Sequence, residues 1–179
     1  MPSAFSHAIA ALSIGACFYR PGVPKRFWAA GALCSVLPDL DVLGFDLGIH
    51  YGDPLGHRGL THSLPFAAAL AGLVTFTFFR HGLLGLGSKA LFAYLFLATA
   101  SHGFLDAMTD GGLGVAFFAP FSNARYFLPW APIRVSPIGV SRFFTARALT
   151  VLKSEFVWIW IPAMFLALFG WGLRKRDAT

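Results

Sequence analysis

Apolar residues run through this chain in long stretches, separated by short polar or basic groups. Met1 to Tyr19 contains no Asp, Glu, Lys or Arg, and Arg20, Pro21, Gly22, Pro24, Lys25 and Arg26 then form a basic turn. Phe27 to Leu37 is apolar again and reaches Pro38, a residue that ends or bends a helix. Gly59 to Phe79 is uncharged, with Ser63 and Pro65 placed as a helix start. Arg80 to Lys89 reads as a Gly-rich basic turn. Ala90 to Leu105 is apolar and closes at Asp106, Asp110, Gly111 and Gly112. The stretch 111–154 is mixed, and Phe156 to Leu173 is an uncharged run followed by Arg174, Lys175 and Arg176. A helix crossing a bilayer needs about 20 predominantly apolar residues. The pattern therefore predicts an all-α fold, a polytopic membrane bundle of four or five transmembrane helices in a single domain, 1–179. Site-bearing helices are expected over about 3–115, an interfacial loop region over about 111–154 and a C-terminal transmembrane helix over about 155–173.

Composition supports this reading. Hydrophobic residues make up 56% and charged residues 12%, and mean hydropathy is +0.65. A soluble domain carries roughly 25% charged residues, so most soluble folds, coiled coils and disordered chains are excluded. The net charge of +6 does not point to nucleic acid, because the basic residues flank apolar runs as at membrane helix ends; no direct nucleic-acid binding is expected. Cys17 and Cys34 are the only cysteines, which leaves no disulfide framework and no cysteine-rich zinc module. No Lys or Arg precedes the first apolar run, so that run reads as a bundle helix rather than a cleaved leader.

The positive-inside bias puts Arg20/Lys25/Arg26, Arg80/Lys89 and Arg174/Lys175/Arg176 on the cytoplasmic side of an inner (plasma) membrane. The Arg125–Lys153 loop departs from this bias, with basic residues on the outer side. Phe117, Phe118, Phe121, Tyr126, Phe127 and Trp130, in the 111–154 region, read as interfacial.

Ionisable residues beside membrane helices are costly and are functional candidates by default. His7 lies in the first apolar segment. Asp39 and Asp41 end the second, in Leu37-Pro38-Asp39-Leu40-Asp41. His57, Arg58 and His62 open the third, in His57-Arg58-Gly59-Leu60-Thr61-His62-Ser63. His102 and Asp106 end the fourth. In an antiparallel bundle all of these fall at one face, extracytoplasmic in the orientation above, and the basic loops fall at the other. His102 and Asp106 are four apart and share a helix face. Asp110 extends that face if the helix lasts another turn, and Gly111-Gly112 argues that it stops about there. Asp39 and Asp41 are two apart, so one is expected as a ligand and the other as a supporting or bridging group. His57 and His62 are expected as a loop histidine and a helix-cap histidine.

Imidazole and carboxylate without cysteine suit zinc first, with manganese or iron as alternatives, and one or two divalent ions are expected. The metal set is His7, Asp39, His57, His62, His102 and Asp106. Asp41, or a free histidine, is the candidate base, and Arg58 the candidate partner for a phosphate oxygen.

On these motifs, over roughly residues 3–115, the chain resembles the YdjM-like family of inner-membrane metal-dependent hydrolases, also described as LexA-binding. More distantly, the order of histidines and aspartates is similar to zinc-dependent phospholipase C and P1-type nuclease, which hydrolyse phosphoesters with a zinc cluster. That similarity implies His7, Asp39, His57 or His62, His102 and Asp106 as ligands. Those enzymes add a later His-x-x-x-Glu pair. Here the only glutamate is Glu155, with Val151 four residues before it, so one or two metals are implied rather than three.

The expected function is a membrane-embedded hydrolase whose metal activates water toward a lipid or lipid-linked phosphoester, in contact with the bilayer. The competing expectation is a non-enzymatic metal-binding scaffold that engages a regulatory protein partner. An ion or proton relay is disfavoured, because the polar residues crowd one face.

Overall fold

The structure is a computed structural model, and it describes residues 1–139 and 146–176. The first helix, α1 (Ala4–Ala16), leads to α2 (Lys25–Val36). At Pro38 the chain does not break. It tightens into a 3₁₀ helix, Leu37–Leu47, with Pro in the first turn, so the helix continues without the one bond that Pro38 cannot donate. Together these give an apolar helical stretch of 23 residues, Lys25–Leu47, so the second span is longer than the run ending at Leu37. A loop and a short 3₁₀ turn, Leu60–His62, precede α3 (Leu64–Phe78). Ser63 caps α3 as expected, its Oγ accepting from the Phe66 N–H at 3.1 Å. A tight turn through Leu83 and Leu86 leads to α4 (Ser88–Ala107), and α5 (Ala146–Glu155) runs through a π turn, Phe156–Trp160, into α6 (Ile161–Arg176).

Among the described residues, three helical stretches are long and apolar enough to cross a membrane: Lys25–Leu47, Ser88–Ala107 and Arg147–Arg174. Ala4–Ala16 and Leu64–Phe78 are shorter apolar helices. Among the described residues no sheet forms; isolated bridges such as Val115 to Tyr126 are the only extended pairings. The all-helical membrane bundle read from the sequence is therefore the fold.

Small residues bring the helices together, as membrane bundles require. Ala11, Ala71 and Ala98 are fully buried. A Cβ on Gly31 of α2 would sit 1.8 Å from the Tyr94 hydroxyl of α4, and Tyr94 in turn stacks on Phe27. Glu155 ties the last helical stretch to the start of the chain. It is fully buried and accepts from the Ser3 N–H (2.5 Å), the Ser3 hydroxyl (2.6 Å) and the Ser6 hydroxyl (2.7 Å). Trp160 donates to the same Ser6 hydroxyl at 2.8 Å. These bonds satisfy donors that the first turn of α1 would otherwise leave open.

Two local expectations are answered. α4 stops at Ala107, so Asp110 does not extend the His102/Asp106 face; it pairs with Arg134 at 2.7 Å and accepts from the Val135 N–H. Phe117 is not interfacial but packs in a buried cluster with Ala107 and Val115. The C-terminal apolar run lies within a helical stretch that spans Arg147–Arg174. Phe118, Phe121, Tyr126, Phe127 and Trp130 are exposed. The part of the interfacial loop at 140–145 lies outside the described residues.

Candidate metal centre

Four separate segments deliver the polar residues to one end of the bundle. α1 contributes His7 from its first turns, and the 3₁₀ helix after α2 contributes Asp39 and Asp41. The loop before α3 contributes His57, Arg58 and His62, and the last turns of α4 contribute His102 and Asp106. His7, His57, His62, His102 and Asp106 are all buried, and Asp39 is the one that reaches solvent, at 9%. The loop has little freedom. Arg58 is held at φ +63°, in the left-handed region rarely used by side chains other than Gly, Asn and Asp. A Cβ on Gly59 would lie 2.3 Å from the Pro54 carbonyl.

Asp39, His62, His102 and Asp106 form a group whose ligand atoms lie within 4.8 Å of one another. The His62 and His102 Nε2 atoms are 3.0 Å apart. Asp39 Oδ1 is 3.3 Å from His102 Nε2 and 3.6 Å from His62 Nε2, and Asp106 Oδ2 is 3.4 Å from His62 Nε2. His7 completes the wall, stacked on His102 with ring centroids 3.7 Å apart and its Nε2 3.6 Å from Asp106 Oδ1.

The neighbouring hydrogen bonds fix where the protons sit. His102 Nδ1 lies 2.7 Å from the Ser35 carbonyl. A carbonyl only accepts, so Nδ1 carries the proton and Nε2 presents its lone pair. The Thr61 hydroxyl donates to Asp41 at 2.8 Å and so accepts from His62 Nδ1 at 3.0 Å, which again leaves Nε2 free. Supporting bonds of this kind orient metal-ligating histidines.

Both oxygens of Asp39, Oδ1 of Asp106 and both ring nitrogens of His7 are buried without a hydrogen-bond partner. Buried polar groups are nearly always paired, and a carboxylate left unpaired is expensive. Carboxylate oxygens and imidazole lone pairs converging in this way fit a divalent cation. Electrostatics agree. Burial works against protonation of His62, but the carboxylates of Asp106, Asp39 and Asp41 outweigh it and hold His62 well above the usual histidine range. A field that attracts one positive charge to that nitrogen also favours a dication there.

A second group, Asp41, His57 and His62, is different in kind. His57 Nδ1 and Asp41 Oδ1 are 2.8 Å apart, a bond in which the imidazole donates to the carboxylate. Its nitrogens facing Asp41 are thus occupied by protons, and the group supports the first one. His57 Nε2 is left buried and unpartnered. Burial lowers the His57 pKa, with Asp41 opposing the shift.

Arg58 lies beneath the centre, fully buried. Its Nε donates to Asp106 Oδ2 at 3.0 Å, Nη1 to the Gly111 carbonyl at 2.8 Å and Nη2 to the Thr109 hydroxyl at 2.9 Å. All three nitrogens are engaged, so the guanidinium is not presented to an incoming anion.

The sequence-predicted residues thus meet at one place. Asp39, His62, His102 and Asp106 converge with His7 beside them, and Asp41 and His57 stand behind. Asp39 and Asp41 divide between the two groups, as their spacing suggested. Thr61, the Ser35 carbonyl, Thr109 and Arg125 were not singled out. Arg125 donates to the carbonyls of His57, Tyr51 and Asp53. Thr61 sits inside the His57–Ser63 motif, but a backbone carbonyl or a distant arginine leaves no local signal.

The histidine contact depends on a close approach of loop and helix. A Cβ on Gly103 would lie 2.7 Å from the His62 carbonyl, so only glycine lets the His62 loop reach α4. Gly103→Ala is expected to push the loop away, lower stability by about 1–3 kcal/mol and weaken metal retention. Thermal midpoint and metal content of the purified variant check this.

The fold and site together define a helical membrane protein carrying a buried histidine–aspartate group able to hold a metal ion. The chain belongs to the YdjM inner membrane protein family, whose profile matches residues 1–178. It is 39% identical to the inner membrane protein YbcI of Escherichia coli (strain K12), over 98% of this chain and the full length of that protein. No solved structure matches the chain.

Proposed function

We propose that this protein is a multi-pass inner-membrane hydrolase that uses one divalent ion, zinc in first place, to cleave a lipid or lipid-linked phosphoester. One observation carries the reading. A buried His/Asp group with unpartnered ligand atoms lies beside an Asp41–His57 pair whose Nε2 is free. Asp39, His62, His102 and Asp106 would hold the ion, with His7 at its edge. The bound ion would supply Lewis acidity to polarise a phosphoester and acidify a water. His57 Nε2 would be the acceptor for a proton, with Asp41 holding the ring and stabilising the imidazolium. Arg58 orients Asp106 rather than gripping substrate. Asp39, the group's one solvent contact, marks the side of entry. The phosphoester class rests on the distant similarity to zinc phospholipases. The basic ends of α2, α4 and α6 face away from the site, which supports an extracytoplasmic centre.

The near-complete burial favours a second reading, a metal-stabilised scaffold for a regulatory protein partner, because closed coordination marks structural sites. The metal-loaded protein, purified in detergent, is to be assayed on bis-(p-nitrophenyl) phosphate and on a fluorogenic phospholipid. His57→Gln is expected to retain the ion and lose about 10²–10⁴-fold in turnover. A wild type that holds its ion and cleaves neither substrate would leave the scaffold reading standing.

A further inference from the structure

At the end of the bundle opposite the metal group, an open groove of about 360 Å³ runs between α3 and α4. Gly72, Phe76 and Phe92 form its apolar walls, and Arg80, Ser88 and Lys89 its mouth. Gly72 keeps it open: a Cβ there meets only Phe92, at 3.9 Å. Thr75 is the other lining residue, so two cations and a hydroxyl flank the mouth and no carboxylate lines the groove. Carboxylates gather instead at the far end of the bundle. Asp39, Asp41, Asp106, Asp110 and Glu155 all belong to the other end, where α1 begins and α4 finishes. Arg174 lies at the basic end, donating to the Cys17 carbonyl just after α1.

We infer that this groove is a binding site for an anionic glycerophospholipid, with the headgroup phosphate between Arg80 and Lys89 and an acyl chain along Gly72, Phe76 and Phe92. Basic pockets between membrane helices recognise such headgroups, and each Lys or Arg near the surface is worth a roughly fivefold gain in affinity. An apolar wall beneath two cations suits a molecule with a tail and an anionic head. A free phosphate would leave the wall unused. The inference needs only that this end lies at a bilayer surface. It does not depend on the hydrolase reading or on which leaflet the end faces.

The test uses the full-length protein, delipidated in detergent, with lipid adducts read by native mass spectrometry. Dioleoyl phosphatidylglycerol, dioleoyl phosphatidylcholine and glycerophosphate are titrated separately. One tight phosphatidylglycerol adduct is expected, weaker phosphatidylcholine binding and none of glycerophosphate. Arg80→Gln/Lys89→Gln is expected to weaken the phosphatidylglycerol adduct about 30-fold and to leave metal content unchanged, which also reports correct folding. Gly72→Leu fills the groove without touching either charge and is expected to weaken both lipids. Equal affinity of wild type and the double variant for phosphatidylglycerol would overturn the inference. So would equal affinity of the wild type for the two lipids, or glycerophosphate binding as tightly as phosphatidylglycerol.

Discussion

Wild-type protein purified in detergent and supplied with zinc is expected to retain about one ion per chain, and His102→Ala roughly a tenth of that or less. The expectation follows from geometry. His102 Nε2 is 3.0 Å from His62 Nε2 and 3.3 Å from Asp39 Oδ1, so its loss removes the donor that faces two others. The change also leaves the Ser35 carbonyl unpaired, for about 1–3 kcal/mol of destabilisation. His102→Ala is a cleaner probe than an Asp106 variant, because removing Asp106 would strand the Arg58 guanidinium, which donates to it at 3.0 Å. His57→Ala is the internal contrast. Its Nδ1 is committed to Asp41, so the ion should survive the change. If His57→Ala empties the centre as thoroughly as His102→Ala, the ligand set is wrong and the Asp41 group holds the metal. If the wild type binds no ion when zinc, manganese or iron(II) is supplied, the orphaned atoms of Asp39 and His7 require another explanation.

Much of this centre was legible in the sequence because its cost is visible there. His and Asp residues at the ends of otherwise uncharged runs stand out, and antiparallel packing of the runs must bring those ends together. The i, i+4 spacing of His102 and Asp106 survives directly as a shared helix face. Helix ends were less legible. Pro38 reads as a terminator, yet a 3₁₀ helix tolerates it in its first turn and carries Asp39 and Asp41 onward. Asp110 would extend the His102/Asp106 face only if α4 lasted another turn; α4 stops at Ala107, and Arg134 and the Val135 N–H, more than twenty residues away, claim its carboxylate. Phe117 has the profile of an interfacial aromatic and is buried because Val115 and Ala107 lie against it. Glu155 reads as the remnant of a missing metal pair. It serves Ser3 and Ser6 instead, which only the packing of the last helical stretch against the start of α1 could reveal.

Substitution of Arg58 separates two readings of its role. As a phosphate partner it would be free to meet a substrate. Arg58→Lys would then raise KM while stability and metal content stayed as they were. The structure gives it three fixed acceptors, Asp106, Gly111 and Thr109. A lysine ammonium, a point charge on a flexible stem, does not reproduce that planar fork. Arg58→Met is expected to destabilise the protein by about 3–5 kcal/mol, since it leaves Asp106 as an uncompensated buried charge. Arg58→Lys should fall between Arg58→Met and wild type. The metal affinity of Arg58→Lys is expected to drop about 10–100-fold, as for other groups that orient a ligand. The backbone offers a further control. Arg58 sits at φ +63°, so Arg58→Gly relieves about 1–2 kcal/mol of left-handed strain while removing the guanidinium. If side-chain support dominates, Arg58→Gly remains well below wild type in thermal midpoint and metal retention, recovering only that increment over Arg58→Met. If Arg58→Gly matches wild type in both, the guanidinium contributes nothing to holding Asp106, and the phosphate-binding role regains its place.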